Sequence, residues 1–414
     1  MNFVETVQTI KTKLRVLFPA TRLEHSALLS ERYNANVYLK REDRTPVRSY
    51  KIRGAFHLIS TMLEEGKSGP FICASAGNHA QGFAYACTHF KVQGTVFMPI
   101  TTPQQKIDKT RIFGGEFIEI KLVGDIFDDA YNAAKDFCEA QNGVMVPPFD
   151  HPQIIEGQAT VGAEILEQTK EPIDVLIMPV GGGGLSAGLS EYFKTESPHT
   201  KLVCCEPAGA PSLKTTLESG EHAALSQVDP FVDGAAVALV GSHNFKRLKN
   251  NITTAVELVP ENRLCSTLLE FLGHEGIVLE PAGALAIDAL KNFKPSALEG
   301  KNIVCIASGG NFDFERLPEV KERSMRNLGI KKYFLLRLPQ RPGALKEFLE
   351  LLGPEDDIAR FEYLKKSAKS FASILLGIET TNAENFKGFT ERMDARGFKL
   401  KDVTNDEVLA DFII

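Results

Sequence analysis

Four short segments carry residue types that could do chemistry together. The first is Ser49-Tyr50-Lys51-Ile52-Arg53-Gly54-Ala55. Ser49 is a candidate helix cap, which would place Lys51 in a first helical turn. The positive end of a helix, Arg48 and Arg53 all disfavour an ammonium there. A lysine with a lowered pKa is a nucleophile suited to Schiff-base chemistry. The second segment is Ser75-Ala76-Gly77-Asn78-His79, between the strand-like Phe71-Ile72-Cys73-Ala74 and a helical stretch at 80–89. Consecutive amides at a helix start can bind an anion such as a carboxylate. Asn78 adds a neutral donor and acceptor. The third is Gly181-Gly182-Gly183-Gly184-Leu185, after an apolar strand at 175–180 and before a helix from Ser186. Four glycines leave backbone amides uncovered, so a phosphate can approach closely. The fourth is Ser308-Gly309-Gly310-Asn311, after the strand predicted at 302–306. A hydroxyl aimed from a strand end can hydrogen-bond a ring nitrogen.

The third segment supports a rival reading. Gly182-Gly183-Gly184-Leu185-Ser186-Ala187 satisfies G-x-G-x-x-A, and Glu206 ends the next strand about 20 residues on, as in a dinucleotide-binding unit. No lysine follows the glycines as a P-loop requires. Taken one at a time, the other three segments also read as a solvated basic helix start, a capped βα turn and an ordinary strand-to-turn.

The elements that must position these segments follow from periodicity. Short apolar strands alternate with helical patterns from about residue 35 to 310. Strands are predicted at 35–39, 71–74, 95–98, 116–120, 175–178, 201–205 and 302–306, and helices at 52–63, 80–89 and 104–113. The strands lack polar alternation, as expected of a parallel sheet covered on both faces. Residues 312–329 are charge-rich and read as a solvated helix or linker. Beyond them a compact βαββαβ unit is predicted, a ferredoxin-like order. Leu345, Phe348, Leu349 and Leu352 form an amphipathic stripe in its first helix. Its further strands are predicted at 358–365 and 371–379, and its last carries Phe398, Leu400 and Val403. The unit holds no Cys or His, which suits binding or regulation better than chemistry.

Composition excludes several classes. The chain has 414 residues, 43% apolar and 24% charged, as in ordinary globular proteins. The net charge of −6 supplies no basic excess for nucleic acid. No apolar run reaches the roughly 20 residues of a membrane span, and the N-terminal stretch lacks a signal-peptide pattern. Seven cysteines, an odd count with no zinc-ligand spacing, suit a reducing compartment. A cytoplasmic protein is expected.

Taken together and in this order, the segments resemble the pyridoxal-phosphate enzymes of fold type II, the tryptophan synthase β type, and among them the threonine dehydratase (threonine ammonia-lyase) family. Lys40-Arg41-Glu42-Asp43 through Ala55, Ser75 through Gly82, the glycine loop, Glu280-Pro281-Ala282-Gly283-Ala284 and Ser308 through Asn311 carry the resemblance. A dinucleotide reading leaves Lys51, Asn78 and Ser308 without roles. The resemblance implies that Lys51 holds pyridoxal 5'-phosphate covalently and then acts as the base at the substrate α-carbon. Asn78 contacts the pyridine 3'-oxygen. Gly181, Gly182, Gly183, Gly184 and Leu185 cradle the phosphate, and Ser308 meets the ring nitrogen. Ser75, Ala76, Gly77, Asn78 and His79 take the substrate carboxylate.

The implied reaction is elimination of water from L-threonine to give 2-oxobutanoate and ammonia, the committed step of isoleucine biosynthesis. The alternatives are an L-serine dehydratase, another β-eliminating lyase, or a non-catalytic amino-acid-binding regulator. Ala76 stands where related racemases carry a second serine, so two-base racemisation is not expected. Glu206 and Ala210 align with two ligands of a cation found in some relatives, but Ser212 replaces the aspartate, so no metal is expected. The C-terminal unit resembles the ACT-like regulatory domain of biosynthetic threonine dehydratases, with Arg341-Pro342-Gly343-Ala344-Leu345 as its most specific stretch. The expected division is a catalytic region at 1–330, its smaller subdomain at about 50–150, and a regulatory domain at 331–414. Isoleucine or valine would be the effector, and a homotetramer or homodimer the assembly.

Overall fold

In the computed structural model, residues 1–252, 255–364 and 371–406 are described. The chain forms two compact units, Met1–Asp313 and Phe314–Ile414. In the first lie β1 (Leu23–His25), β2 (Asn36–Arg41), β3 (Phe71–Ala74), β4 (Gly94–Met98), β5 (Ile118–Leu122), β6 (Val144–Met145), β7 (Val175–Pro179), β8 (Lys201–Pro207), β9 (Glu257–Val259) and β10 (Asn302–Ala307). They make two sheets. The larger has the order β1-β2-β10-β7-β8-β9 and the smaller β5-β4-β3-β6. Every pairing is parallel except β1 with β2. Strands β3, β4 and β7 are buried along their whole length. Burial on both faces explains why they read as continuous apolar runs.

The functional segments all leave strand ends. Ser75–His79 follows β3, the glycine loop follows β7, and Ser308 follows β10. Crevices outside the carboxyl ends of parallel strands are the usual ligand sites of open α/β sheets. The segment before Lys51 is stitched to the turn after β10. Ser49 pairs with Gly309 in an isolated antiparallel bridge, Tyr50 N–H donates to Ser308 O at 3.3 Å, and Gly310 N–H donates to Arg48 O at 2.9 Å. Two segments some 250 residues apart in sequence are thereby fixed side by side.

One strand of this unit is displaced from its expected place. Gly115, whose φ is +51°, opens a 3-10 turn over Gly115–Phe117, so β5 begins at Ile118 rather than at Glu116.

The second unit holds β11 (Lys331–Pro339), β12 (Asp357–Leu364), β13 (Phe371–Glu379) and β14 (Lys399–Asp402), in an antiparallel sheet ordered β12-β13-β11-β14. With helices Ala344–Leu349 and Asn385–Ala395 this is the βαββαβ arrangement. Lys365, expected to end the strand at 358–365, lies outside the described residues. Phe334, Leu336, Phe348, Ile374, Leu376 and Phe389 make the core.

Two expectations change here. The charged stretch is a helix, Leu317–Asn327, that belongs to this unit rather than to a free linker. Val320 and Ser324 are buried, Glu322 accepts from Tyr333 Oη at 2.9 Å and pairs with Lys331 at 2.5 Å, and Arg326 bonds the Thr404 carbonyl. The first helix is also rotated from the expected stripe. It has six residues, and Ala344, Phe348 and, just beyond it, Leu351 are buried, while Leu345 and Leu349 are 44% and 45% exposed. Gly343, at φ +86°, is the N-cap of this helix.

Candidate active site

Lys51 is the first residue of the helix Lys51–Glu64. Its cap is not the expected one. Tyr50 occupies the N-cap without a side-chain bond, and the Ser49 hydroxyl is buried with no partner among the described residues. Thr45 does the shaping instead: its Oγ accepts from Ser49 N–H at 2.9 Å and donates to Ser49 O at 2.8 Å. Lys51 Nζ donates to Pro148 O at 2.8 Å and lies 5.3 Å from the Tyr50 ring and 5.9 Å from the Phe149 ring. Burial pulls its pKa down to about 8 against a raising influence from Glu280. An amine so tuned is neutral and nucleophilic over part of the physiological range.

Behind this helix lies a buried ionic cluster. Arg53 donates from Nε and Nη2 to Glu42, both at 2.8 Å, and from Nη1 and Nη2 to Glu164 at 2.9 and 2.8 Å. Lys40 Nζ reaches Glu164 at 2.8 Å. Lys40, Glu42, Arg53 and Glu164 are all at 0% exposure, so the bidentate geometry must offset their desolvation. The cluster ties Lys51's helix to β2 and to the helix Pro152–Gln168. On the other side, Gly82 lets the helix Asn78–Phe90 approach: a Cβ there would sit 2.8 Å from Ile52 N.

Asn78 opens that second helix. Its Nδ2 donates to Glu280 Oε1 at 2.6 Å, and its Oδ1 accepts from Asn311 Nδ2 at 2.7 Å. Ser75 Oγ accepts from Gly77 N–H at 3.3 Å, a local turn bond. Ala76 packs partly against the core of the smaller sheet. The structure puts the His79 ring elsewhere than in an open carboxylate site. It is 2% exposed, donates from Nε2 to Val146 O at 2.8 Å, and burial and Lys51 hold its pKa down at about 3. His79 is therefore neutral and anchors the loop to the smaller sheet.

The glycine loop closes against Pro148-Phe149, which also touches Lys51. A Cβ on Gly182 would lie 2.2 Å from the Phe149 ring, and one on Gly184 3.0 Å from Phe149 O. Gly183 has φ +89°. The Gly182 carbonyl accepts from Gly241 N–H at 3.0 Å and from Asn244 Nδ2 at 2.7 Å. Pinning that carbonyl turns the N–H of the same peptide, on Gly183, to the opposite side. Asn244 is held in turn by Asp150, whose carboxylate accepts from the amides of Ser242 and His243 at 2.9 Å each. Helix Gly184–Glu196 starts here, with its positive end at the loop.

Ser308 is 3% exposed, and its Oγ donates to Ala282 O at 3.1 Å. Three residues without assigned roles in the sequence join the site: Glu280, Asn311 and Asn244. Glu280 and Asn311 stand inside quoted motifs, but nothing in sequence aims their side chains at Asn78. Asn244 and Asp150 carry no sequence signal. Glu206 is committed to a helix start. It accepts from Leu213 N–H at 2.7 Å, Lys214 N–H at 3.0 Å and Ser212 Oγ at 3.3 Å, and burial raises its pKa to about 7.

The donor set suits a phosphorylated pyridine aldehyde. A side-chain-free loop at a helix N-terminus offers amides to a phosphate, a neutralisable amine stands across Phe149 from it, and Asn78 and Ser308 offer ring contacts. The family described as "Pyridoxal-phosphate dependent enzyme" matches residues 16–309. The chain therefore belongs to the pyridoxal-phosphate-dependent enzymes. The family described as "C-terminal regulatory domain of Threonine dehydratase" matches residues 322–413. The chain is similar to "L-threonine dehydratase biosynthetic IlvA" of Halalkalibacterium halodurans, 45% identical with 99% of each chain covered. It is also 45% identical to the protein of that name in Bacillus subtilis, with 95% of this chain and 93% of that one covered. Among solved structures, the processed form of threonine deaminase isoform 2 from Solanum lycopersicum matches with TM-score 0.73 and 38% identity, over 78% of this chain and 87% of that one.

Proposed function

We propose that this chain converts L-threonine to 2-oxobutanoate and ammonia with pyridoxal 5'-phosphate, in isoleucine biosynthesis in the cytoplasm. The observation that carries the reading is Lys51: an enclosed amine with a lowered pKa, fixed beside the Ser308 turn and facing Phe149 and the glycine loop. Lys51 and the loop from Gly181 to Leu185 hold the cofactor, and Asn78 and Ser308 meet its ring. The cofactor, when bound, supplies an electron sink for the pair left at the substrate α-carbon. The amides of 75–79 hold the substrate carboxylate. Once the substrate amine has taken its place on the cofactor, the freed Lys51 Nζ removes the α-proton, and the β-hydroxyl leaves with that proton as water. Ala76 offers no hydroxyl to return a proton from the opposite face, so elimination prevails over racemisation. Ser308 carries no charge to stabilise a protonated ring, which favours prompt loss of the β-group.

Control is assigned to the second unit, which takes isoleucine or valine. A cavity of about 440 Å³ is lined by Leu338, Ala344, Leu345, Leu349, Phe361 and Arg341, among others. The two leucines that leave the core therefore line a pocket with an apolar wall and two cations, Arg341 and Lys346, the chemistry of a branched-chain amino acid. A homotetramer or homodimer is the proposed assembly. The test is kcat/KM for L-threonine and L-serine with and without isoleucine and valine. Threonine should be preferred and its half-saturation should shift with effector. A preference for serine would support the serine dehydratase alternative.

A further inference from the structure

Glu280 is the carboxylate in direct contact with Asn78, one of the proposed ring contacts. It is 6% exposed. It stands at the N-cap of the helix Pro281–Asp288, but its side chain bonds none of that helix's amides. Its Oε1 instead accepts from Asn78 Nδ2 at 2.6 Å. The opposite end of the Asn78 amide is held by Asn311 Nδ2 at 2.7 Å, which also donates to Val47 O at 2.8 Å. The Asn78 amide therefore cannot flip. Reversal would set its oxygen against a carboxylate and its nitrogen against another amide nitrogen. One Nδ2 hydrogen is spent on Glu280, and the second remains for a ligand.

Room for the carboxylate comes from Gly309. A Cβ there would fall 1.9 Å from Glu280 Oε1 and 3.4 Å from Asn78 Nδ2. Glu280 N–H donates to Gly309 O at 3.2 Å, so the helix start and the Ser308 turn are locked together. Around this group, Lys106 pairs with Asp233 at 2.5 Å, and Lys109 Nζ reaches Asn311 Oδ1 at 3.4 Å.

We propose that Glu280 is a positioning residue for the cofactor: it locks the Asn78 amide so that one N–H points at the 3'-oxygen of pyridoxal phosphate. The inference rests on the reading of Asn78 given above. The carboxylate also polarises the amide it accepts from, which strengthens the second N–H as a donor. Gly309 is then glycine because the carboxylate occupies the space of its side chain.

The experiment compares holoprotein variants Asn78→Ala, Glu280→Ala, Glu280→Gln, Gly309→Ala and the double variant Glu280→Ala/Gly309→Ala. The readouts are the dissociation constant for pyridoxal phosphate and the pH midpoint of the visible absorbance of the lysine-bound cofactor. Glu280→Ala should weaken cofactor binding about tenfold and shift that midpoint. Glu280→Gln should stay close to wild type, because its carboxamide oxygen still accepts from Asn78. Gly309→Ala should match Glu280→Ala in the wild-type background and add little in the double variant. The inference is overturned if Asn78→Ala changes both readouts and Glu280→Ala neither, or if Glu280→Gln fails as badly as Glu280→Ala. It is also overturned if Gly309→Ala is without effect. If Asn78→Ala itself changes nothing, the underlying reading of Asn78 fails and takes this one with it.

Discussion

In the proposed mechanism Lys51 combines two tasks in one nitrogen, the anchor and the base. Lys51→Ala should therefore reduce turnover by more than the ~10²–10⁴ typical of lost acid–base catalysis. Steady-state assay of 2-oxobutanoate checks this, and turnover within tenfold of wild type would remove Lys51 from the mechanism. Its lowered pKa has a further consequence. Only the neutral amine attacks an aldehyde, so the rate at which apoprotein captures added cofactor should climb with pH to about 8 and then level. Stopped-flow absorbance over a pH series tests the sign and the midpoint. A rate still climbing well into the ordinary lysine range contradicts the assigned environment. The place of Lys51 at a helix start was legible in the sequence, but the cause of its lowered pKa was not: Arg48 and Arg53 suggested charge repulsion, whereas burial lowers it. The reason for that start was not legible: Ser49 reads as a cap, but the bond network runs through Thr45, whose contact needs a turn that spacing does not reveal. His79 was legible as a loop residue, but not as a buried ring donating to Val146.

At the scale of elements, the alternation of strands and helices was legible because both-face burial leaves uninterrupted apolar runs. Contacts made by long-range packing were not. Arg53 reads as one more base beside Lys51, whereas its guanidinium is closed by Glu42 and Glu164 from two other elements. Losing Arg53 leaves the buried Glu42 without its cation and Glu164 with only Lys40 and Arg15 against it. Arg53→Met should thus lower stability by about 3–5 kcal/mol, read from urea unfolding followed by tryptophan-independent signals such as far-ultraviolet circular dichroism. A loss under ~1 kcal/mol would show that the cluster is not holding the helix. The glycine loop makes a sharper case. Its sequence announces uncovered amides, and the structure adds that Gly182 is in contact with Phe149. Gly182→Ala should displace Phe149 and weaken cofactor binding at least tenfold by the loss of aligned donors, measured by equilibrium titration. Unchanged affinity would mean the phosphate is held elsewhere.

Over the whole molecule, the two units divide at Asp313, where the charge-rich stretch begins, and not at the expected boundary of 330 and 331. Charge density suggested a connector ending near Gly329, yet Val320, Glu322 and Arg326 are engaged with the second unit. A chain ending at Asp313 should fold and dehydrate threonine without responding to isoleucine or valine. A chain ending at Gly329 keeps a helix stripped of its partners and should be the less soluble of the two. Full-length protein should show an effector-dependent shift of roughly 5–150-fold in threonine half-saturation, the usual range of allosteric coupling. An equal shift in the shorter chain would place the effector site outside the second unit. The amphipathic stripe also bears on this: Leu345 and Leu349 were legible as apolar helix residues, but only the fold shows them lining a cavity rather than the core.

The central claim is that Lys51 and its bound cofactor eliminate water from threonine. The most direct test is to supply the cofactor-loaded protein with L-threonine and quantify 2-oxobutanoate and ammonium together, beside the Lys51→Ala variant. The account predicts one of each product per threonine consumed, with no turnover detectable in the variant. Threonine left unconsumed by the loaded wild-type protein, or equal product from the variant, would contradict it.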